Sequence, residues 1–67
     1  MNMHSSLYAE AQDLKKLSEM FRDLARILPP SAAEEAVTYF QAATLIGQKA
    51  ARIMELADEA QKVQDGD

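Results

Sequence analysis

The stretch Ile27–Phe40, ILPPSAAEEAVTYF, decides the fold because it ends one helical pattern and begins another. Pro29 and Pro30 each lack a backbone amide donor, and a proline disfavours helical backbone in the residue before it. A helix that reaches Leu28 must therefore end there. The stretch predicts two helices that are joined by a Pro-Pro turn at residues 29–31.

A second helix is predicted to start directly after this turn. Ser31, with Glu34 three residues later, is typical of a capping box, in which each side chain bonds the backbone amide of the other residue. From Ala32 onward no helix-ending residue occurs until the last positions of the chain. We therefore expect this helix to run to about Val63 and to be followed by a frayed C-terminus at 64–67.

The first helix, predicted over about residues 6–28, is apolar along one side. One apolar row recurs every seven residues and a second row completes a coiled-coil seam. The first row is Leu7, Leu14, Phe21 and Leu28, and the second is Leu17 and Leu24. The short turn predicts that the two helices pack antiparallel. The expected fold of residues 1–67 is thus a single all-α antiparallel two-helix hairpin.

The length and composition of the chain indicate that one hairpin needs a partner. A chain of 67 residues buries a small fraction of its surface, and it contains no cysteine to form a disulfide. The polar line of the second helix is narrow, and its last turns are expected to extend beyond the first helix. These features predict a homo-oligomeric helical bundle. Its predicted interface comprises Leu14, Phe21, Ala43, Gly47, Ala51, Leu56, Ala60 and Val63.

Gly47 lies within the second helix, where glycine costs about 1 kcal/mol relative to alanine. With Ala43 and Ala51 it forms a row of small residues at four-residue spacing. The functional interpretation is a close crossing of helices from two chains, or room for a ligand. The alternative is a tolerated glycine.

Charge and hydropathy exclude several classes of function. The net charge of −4 and pI near 4.8 argue against a binder of duplex DNA or RNA, which needs clustered Lys and Arg. No apolar run approaches the roughly 20 residues of a membrane span, the start of the chain lacks a signal-peptide pattern, and an acidic chain would be repelled by anionic lipids. A cytoplasmic location is expected.

The sequence contains no catalytic or metal-binding motif. There is no nucleophile beside a base, no carboxylate pair in a recognisable cleft and no glycine-rich phosphate loop. A zinc site would depend on His4 and carboxylates alone, and His4 is expected to be a solvated residue in a fraying N-terminus. We expect a protein that is not an enzyme and needs no cofactor.

Two arginines and two tyrosines are the candidate binding residues. Arg22 and Arg26 lie one turn apart with no acidic residue four positions after either, an arrangement that suits a phosphate or a partner's carboxylate. Tyr8 could stack a base or contact a subunit, whereas Tyr39 is expected in the core. The alternative for the basic residues is ordinary surface pairing. The expected pairs are Lys15–Glu19, Arg22–Glu19 and Arg52–Glu55.

The second helix, TYFQAATLIGQKAARI at Thr38–Ile53, resembles the hairpin domain of small bacteriophage proteins that sequester the cyclic nucleotide signals of bacterial immunity, the anti-CBASS and anti-Thoeris sponges. The shared pattern is a threonine, an apolar residue, a glutamine, small residues, and a basic residue followed by alanine. These are Thr38, Phe40, Gln41, Ala42 or Ala43, Lys49 and Ala50. The likeness covers roughly residues 24–53, and Lys49 stands where the family carries arginine.

The resemblance implies a symmetric oligomer of hairpins that binds a cyclic dinucleotide or a related signal between subunits without cleaving it, in the host cytoplasm. In that interpretation Tyr8 contacts a base, Arg22, Arg26 and Lys49 contact phosphate, and Thr38 or Gln41 supplies hydrogen bonds. The alternative is a helical adaptor, co-chaperone or inhibitor whose exposed apolar face binds a partner protein's helix.

Overall fold

A computed structural model describes residues 3–65 of the chain. Helix α1 spans Met3–Ile27, a 3-10 turn spans Pro30–Ala32, and helix α2 spans Ala33–Asp65. The molecule measures 57 × 16 × 10 Å. The predicted all-helical hairpin is confirmed. Of the predicted frayed end, residues 64 and 65 belong to α2, and residues 66 and 67 lie outside the described residues.

The two helices pack antiparallel. Three contacts show this, because residue numbers rise along α1 while their partners' numbers fall along α2. His4 faces Asp58, Ser18 bonds Ala43, and the rings of Phe21 and Tyr39 lie 5.8 Å apart. Tyr39, which was expected in the core, contacts Phe21 of the other helix but is half-buried. Within residues 3–65 no helix combines the length and the apolarity needed to cross a membrane.

The turn between the helices differs in detail from the prediction. Pro29 has extended backbone angles, φ −69° and ψ 161°, and its carbonyl accepts a hydrogen bond from the amide of Ala32 at 2.9 Å. Ser31 lies inside this 3-10 turn, and neither side-chain bond of the predicted capping box forms between Ser31 and Glu34. The capping box was therefore wrong. Pro30 is the reason, because its fixed φ suits the first position of this tighter turn.

The helices meet along a seam of small residues that repeats every seven positions. We call these residues the seam, and they are Ala11, Ser18 and Ala25 on α1 and Ala43, Ala50 and Ala57 on α2; all six are buried. At its centre the hydroxyl of Ser18 donates a 2.7 Å hydrogen bond to the carbonyl oxygen of Ala43. This bond requires the helix backbones to approach closely, which small side chains permit.

The seam corrects the predicted packing of α1. One apolar row was predicted to form the centre of the contact between the helices, but its residues are only half-buried and flank the seam. This row consists of Leu7, Leu14, Phe21 and Leu28. Leu17 and Leu24, predicted to fill the second seam position, are exposed by 39% and 44%. Because alanine and serine let the helices approach more closely than leucine does, the helices meet on the small residues.

The N-terminus of α1 also lies differently from the prediction. The helix begins three residues earlier than expected, and His4 belongs to it rather than to a frayed segment. Its Nε2 lies 3.8 Å from Oδ1 of Asp58, and its ring stacks on Tyr8 with the centroids 6.2 Å apart. Since α1 begins at the level of Asp58, it covers the first part of the predicted overhang of α2, where Ala57 is fully buried, whereas Val63 is 72% exposed.

Candidate functional site

Two different surfaces flank the seam, one on each side of the hairpin. In an α-helix the residues one position before and three after a seam residue point to one side, and those one and four after it point to the other. Because the helices are antiparallel, residues with the same offset from the seam lie on the same side of the hairpin, whether they belong to α1 or to α2. Each side therefore carries a surface built from both helices.

The first surface, which we call the apolar face, uses the positions one before and three after the seam. Its apolar residues are Leu14, Leu17, Phe21 and Leu24 from α1 and Leu28 just after it, with Ala42, Ile46, Ile53, Leu56 and Ala60 from α2. The remaining positions at these offsets are Glu10 and Lys49. Leu17, Leu24 and Leu56 are each exposed by more than a third. Such a contiguous apolar surface is typical of an interaction site.

The second surface, which we call the groove, lies on the opposite side. It is an open depression of about 520 Å³ that exposes small and polar residues. Its α1 wall consists of Lys15, Glu19 and Arg22, and its α2 wall of Thr44, Gly47, Gln48, Ala51 and Met54. With two cations and one carboxylate, the α1 wall carries a small net positive charge in this acidic protein.

Two of the expected surface pairs do not form, so the cations of the groove are available. Within residues 3–65, Lys15 and Arg22 make no ion pair, and Glu19 bonds neither of them. The third expected pair is confirmed, with Arg52 Nη1 at 3.0 Å from Glu55 Oε2. Arg52 also lies 4.0 Å from Glu59. Arg22 thus remains a candidate for binding an anion.

Arg26 does not join Arg22 in one site. Its Nη1 donates a 3.2 Å hydrogen bond to Oδ1 of Asp23, three residues earlier, at the exposed surface of α1. The sequence interpretation considered acidic residues after each arginine and missed the one before Arg26. Arg26 lies one turn after Arg22 on the same side of α1 but does not line the groove, so the two guanidinium groups do not share that depression.

The other predicted ligand residues are dispersed over one hairpin. Tyr8 lies about 21 Å from Arg22 along α1, given a rise of 1.5 Å per residue. Thr38 donates to the carbonyl of Glu34 at 3.1 Å within its own helix. Gln41 lines a shallow apolar depression, and Lys49 lies on the apolar face. The predicted nucleotide residues therefore share no pocket within one chain, and a common site would require residues of several chains.

The predicted interface residues have several different places. Ala43 belongs to the seam, Gly47 and Ala51 line the groove, and Val63 is exposed near the end of α2. The remaining predicted interface residues lie on the apolar face: Leu14, Phe21, Leu56 and Ala60. Sequence reasoning missed the exposure of Leu17 and Leu24. The small residues that recur every seven positions in α1, at Ala11, Ser18 and Ala25, were the signal that could have revealed this exposure.

Gly47 is not needed for the close approach of the two helices in one chain. A Cβ placed there would lie 3.4 Å from Oγ of Ser18, an ordinary van der Waals contact. Gly47→Ala should therefore stabilise the hairpin by about 0.5–1 kcal/mol through helix propensity. Urea titration followed by circular dichroism measures the change. The matched control Ala51→Gly, one turn later, should lower stability by a similar amount.

A destabilising effect of Gly47→Ala would contradict this expectation. It would mean that a further molecule packs against Gly47 in the groove and needs the space that a methyl group would fill. Comparing dilute with concentrated protein identifies that case, because contact with a second chain depends on protein concentration.

The described residues contain no group of three or more His, Cys, Asp or Glu side chains that could hold a metal ion. The two surfaces that are built from both helices are the apolar face and the groove. Searches of protein-family models, curated proteins and solved structures found no match to this chain. The geometry of these two faces is the basis for a functional proposal.

Proposed function

We propose that this chain is a non-enzymatic helical hairpin that acts by associating with other helices, and that it forms a homo-oligomeric bundle through its apolar face. The observation that carries the proposal is the exposure of Leu17, Leu24 and Leu56 on one side of the hairpin. An unpartnered apolar surface of this kind favours association with another apolar surface.

The small core of one hairpin supports the same proposal. The buried apolar residues in the described part of the chain are all alanines. Burying a leucine or isoleucine contributes about 1.5–3 kcal/mol, whereas an alanine methyl contributes roughly 0.8 kcal/mol. Much of the hydrophobic free energy that this sequence can supply thus depends on covering the apolar face.

A second candidate function is sequestration of an anionic ligand such as a cyclic nucleotide. It rests on the resemblance of the second helix and on Lys15 and Arg22, which line the groove without an ion pair in residues 3–65. Sequestration needs fixed cations and hydrogen-bond donors but no nucleophile. Gln48 on the opposite wall offers an amide donor for such a ligand, whereas the Thr44 hydroxyl already donates to the carbonyl oxygen of Phe40 at 3.1 Å.

A third candidate function is that of an adaptor or inhibitor. In this role the apolar face binds the helix of a partner protein instead of a second copy of the chain. This role uses the same leucines as self-association. The two are distinguished by the behaviour of the purified chain, because an adaptor awaiting its partner has no reason to assemble with copies of itself.

Native mass spectrometry of the purified protein, with titration of cyclic di- and trinucleotides, tests these functions together. We expect one discrete homo-oligomer at micromolar concentration. A folded monomer at that concentration would contradict the proposed self-association and favour the partner-protein role.

The same titration decides the second candidate. A nucleotide mass gained per subunit or per interface, and lost in Arg22→Ala, would support sequestration through the groove. Arg52→Ala is the matched control, because Arg52 lies on the side of α2 away from the groove and pairs there with Glu55. An oligomer that gains no nucleotide mass would remove this function.

A further inference from the structure

We infer that the apolar face is occupied by a second copy of this chain, with the two hairpins parallel and related by a twofold axis along their length. In this arrangement Glu10 of each chain lies beside Lys49 of the partner subunit. The inference rests on the proposed self-association and specifies its geometry. It makes the dimer a four-helix bundle in which every helix has antiparallel neighbours.

The size of the face suits a second copy. The 25 residues of α1 extend about 37 Å, and the hairpin is 16 Å across, so the flat area is roughly 600 Å² before side-chain relief is included. Stable protein interfaces bury about 800 Å² on each partner. One hairpin face is therefore close to the area that a stable dimer needs.

Two opposite charges on the apolar face determine the alignment. Glu10 comes directly before Ala11, and Lys49 comes directly before Ala50, so both have the same offset from the seam. Neither makes an ion pair within residues 3–65. The bond between Ser18 and Ala43 shows that these two residues lie at the same height along the hairpin. Lys49 is six residues after Ala43, and because the helices are antiparallel it lies at the height of residue 12, six residues before Ser18. Along the hairpin the two charges are offset by about 3 Å.

A twofold axis along the length of the hairpin leaves each residue at the same height in both subunits. It also places α1 of one subunit on the side where the other subunit has α2. Each α1 then faces the partner subunit's α2, and Glu10 meets Lys49 of the partner subunit twice, once on each side of the bundle. Leu17 and Leu24 meet apolar positions of the partner in the same layers. Glu10 and Lys49 of each chain thus each lie beside an opposite charge of the partner subunit.

A twofold axis across the hairpin would reverse the levels instead. It would place Glu10 at the level of Phe21 and Leu24 of the partner subunit, and it would place Lys49 opposite apolar residues of the partner's α2. Two charges of each chain would then be buried against apolar side chains without a partner, which is unfavourable. The charge pattern therefore favours parallel hairpins.

Mixing two charge-reversed variants tests the pairing between chains. Glu10→Lys alone should place two lysines together in its homodimer, and Lys49→Glu alone should place two glutamates together. We expect each homodimer to dissociate roughly tenfold more readily than the unmodified protein. Equal amounts of the two variants should form heterodimers well above the statistical half, because both ion pairs are restored only between unlike chains. Native mass spectrometry measures the proportions.

The control mixture combines Glu10→Lys with Lys16→Glu. Lys16 lies two positions before Ser18 and points away from the apolar face, so this pair should mix in statistical proportions. If the mixture of Glu10→Lys with Lys49→Glu also formed heterodimers only in the statistical proportion, the proposed pairing would be overturned. The comparison is insensitive to pairing within a chain, because each variant carries only like charges at these two positions.

A distance measurement tests the alignment independently. The sequence contains no cysteine, so Ser31→Cys in the exposed turn provides a single site for a spin label. Parallel hairpins should place the two labels within about 25 Å, whereas reversed hairpins would place them at least about 37 Å apart, the length of α1. The longer distance in an intact dimer overturns this inference and leaves self-association standing, while a monomer overturns both.

Discussion

Leu24→Glu should dissociate the oligomer and reduce the helix content of the dilute protein. Leu24 lies on the apolar face and is 44% exposed in one hairpin. In a twofold dimer the substitution removes two leucines from the interface and places two carboxylates there. With about 1.5–3 kcal/mol for each leucine, the dissociation constant should rise by roughly 100-fold or more. Sedimentation across a concentration series measures this change.

Val37→Glu is the matched control for this substitution. Val37 is an apolar residue of α2 and is 54% exposed. It directly follows Ala36, which lies seven residues before Ala43, so it points to the groove side of the hairpin and away from the apolar face. Association should change by only a few-fold. Equal weakening by the two substitutions would contradict the assignment of the interface to the apolar face.

Ala43→Leu should unfold the hairpin. Ala43 is fully buried, and its carbonyl accepts the hydrogen bond from Ser18, so the opposite helix lies too close to admit a leucine. Overpacking typically costs 1–3 kcal/mol, and the residue that faces Ala43 across the seam is Ser18, whose short side chain cannot move aside to make room. We expect a loss of about 3 kcal/mol, enough to leave most of so small a protein unfolded at 37 °C. Thermal denaturation followed by circular dichroism gives the result.

Ala9→Leu controls for the added volume and the helix propensity of leucine. Ala9 is exposed on α1, two positions before Ala11 and on the side away from the seam. Its replacement should leave the midpoint of unfolding within a few degrees of that of the unmodified protein. If Ala43→Leu were tolerated equally well, the helices could not be as close as the bond between Ser18 and Ala43 requires.

The hairpin itself could be predicted from the sequence because its signals are local. Two consecutive prolines end α1 whatever surrounds them, and the short connection makes the helices antiparallel neighbours. The detail of the turn could not be predicted in the same way. The pattern at Ser31 and Glu34 is compatible with a capping box and with a 3-10 turn, and the backbone angles of Pro29 decide between them.

The faces of α1 were harder to predict because two rows in this helix share the same period of seven. Leucines at Leu17 and Leu24 and small residues at Ser18 and Ala25 are adjacent along the chain, so periodicity alone cannot say which row touches α2. The choice depends on how closely the opposite helix can approach. That distance is set jointly by small residues on both helices, which inspection of α1 alone does not reveal.

The candidate site could be predicted only in part. Arg22 lines the groove without an ion pair in the described chain, as a residue for anion binding would. Arg26 was assigned to the same role, but its pairing with Asp23 depends on side-chain conformations that spacing leaves open. Tyr8 and Lys49 lie away from Arg22 because of which residues of α1 lie opposite which residues of α2. That pairing is a property of the folded hairpin.

The alanine seam also has a calorimetric consequence. The heat-capacity change of unfolding reflects the apolar area that becomes exposed, and for ordinary globular proteins it is about 12–15 cal/mol/K per residue. A lone hairpin that buries mainly methyl groups between its helices should have a smaller value and a correspondingly flatter dependence of stability on temperature. For the assembled protein, most of the measured heat-capacity change would then come from separating the subunits rather than from unwinding each one.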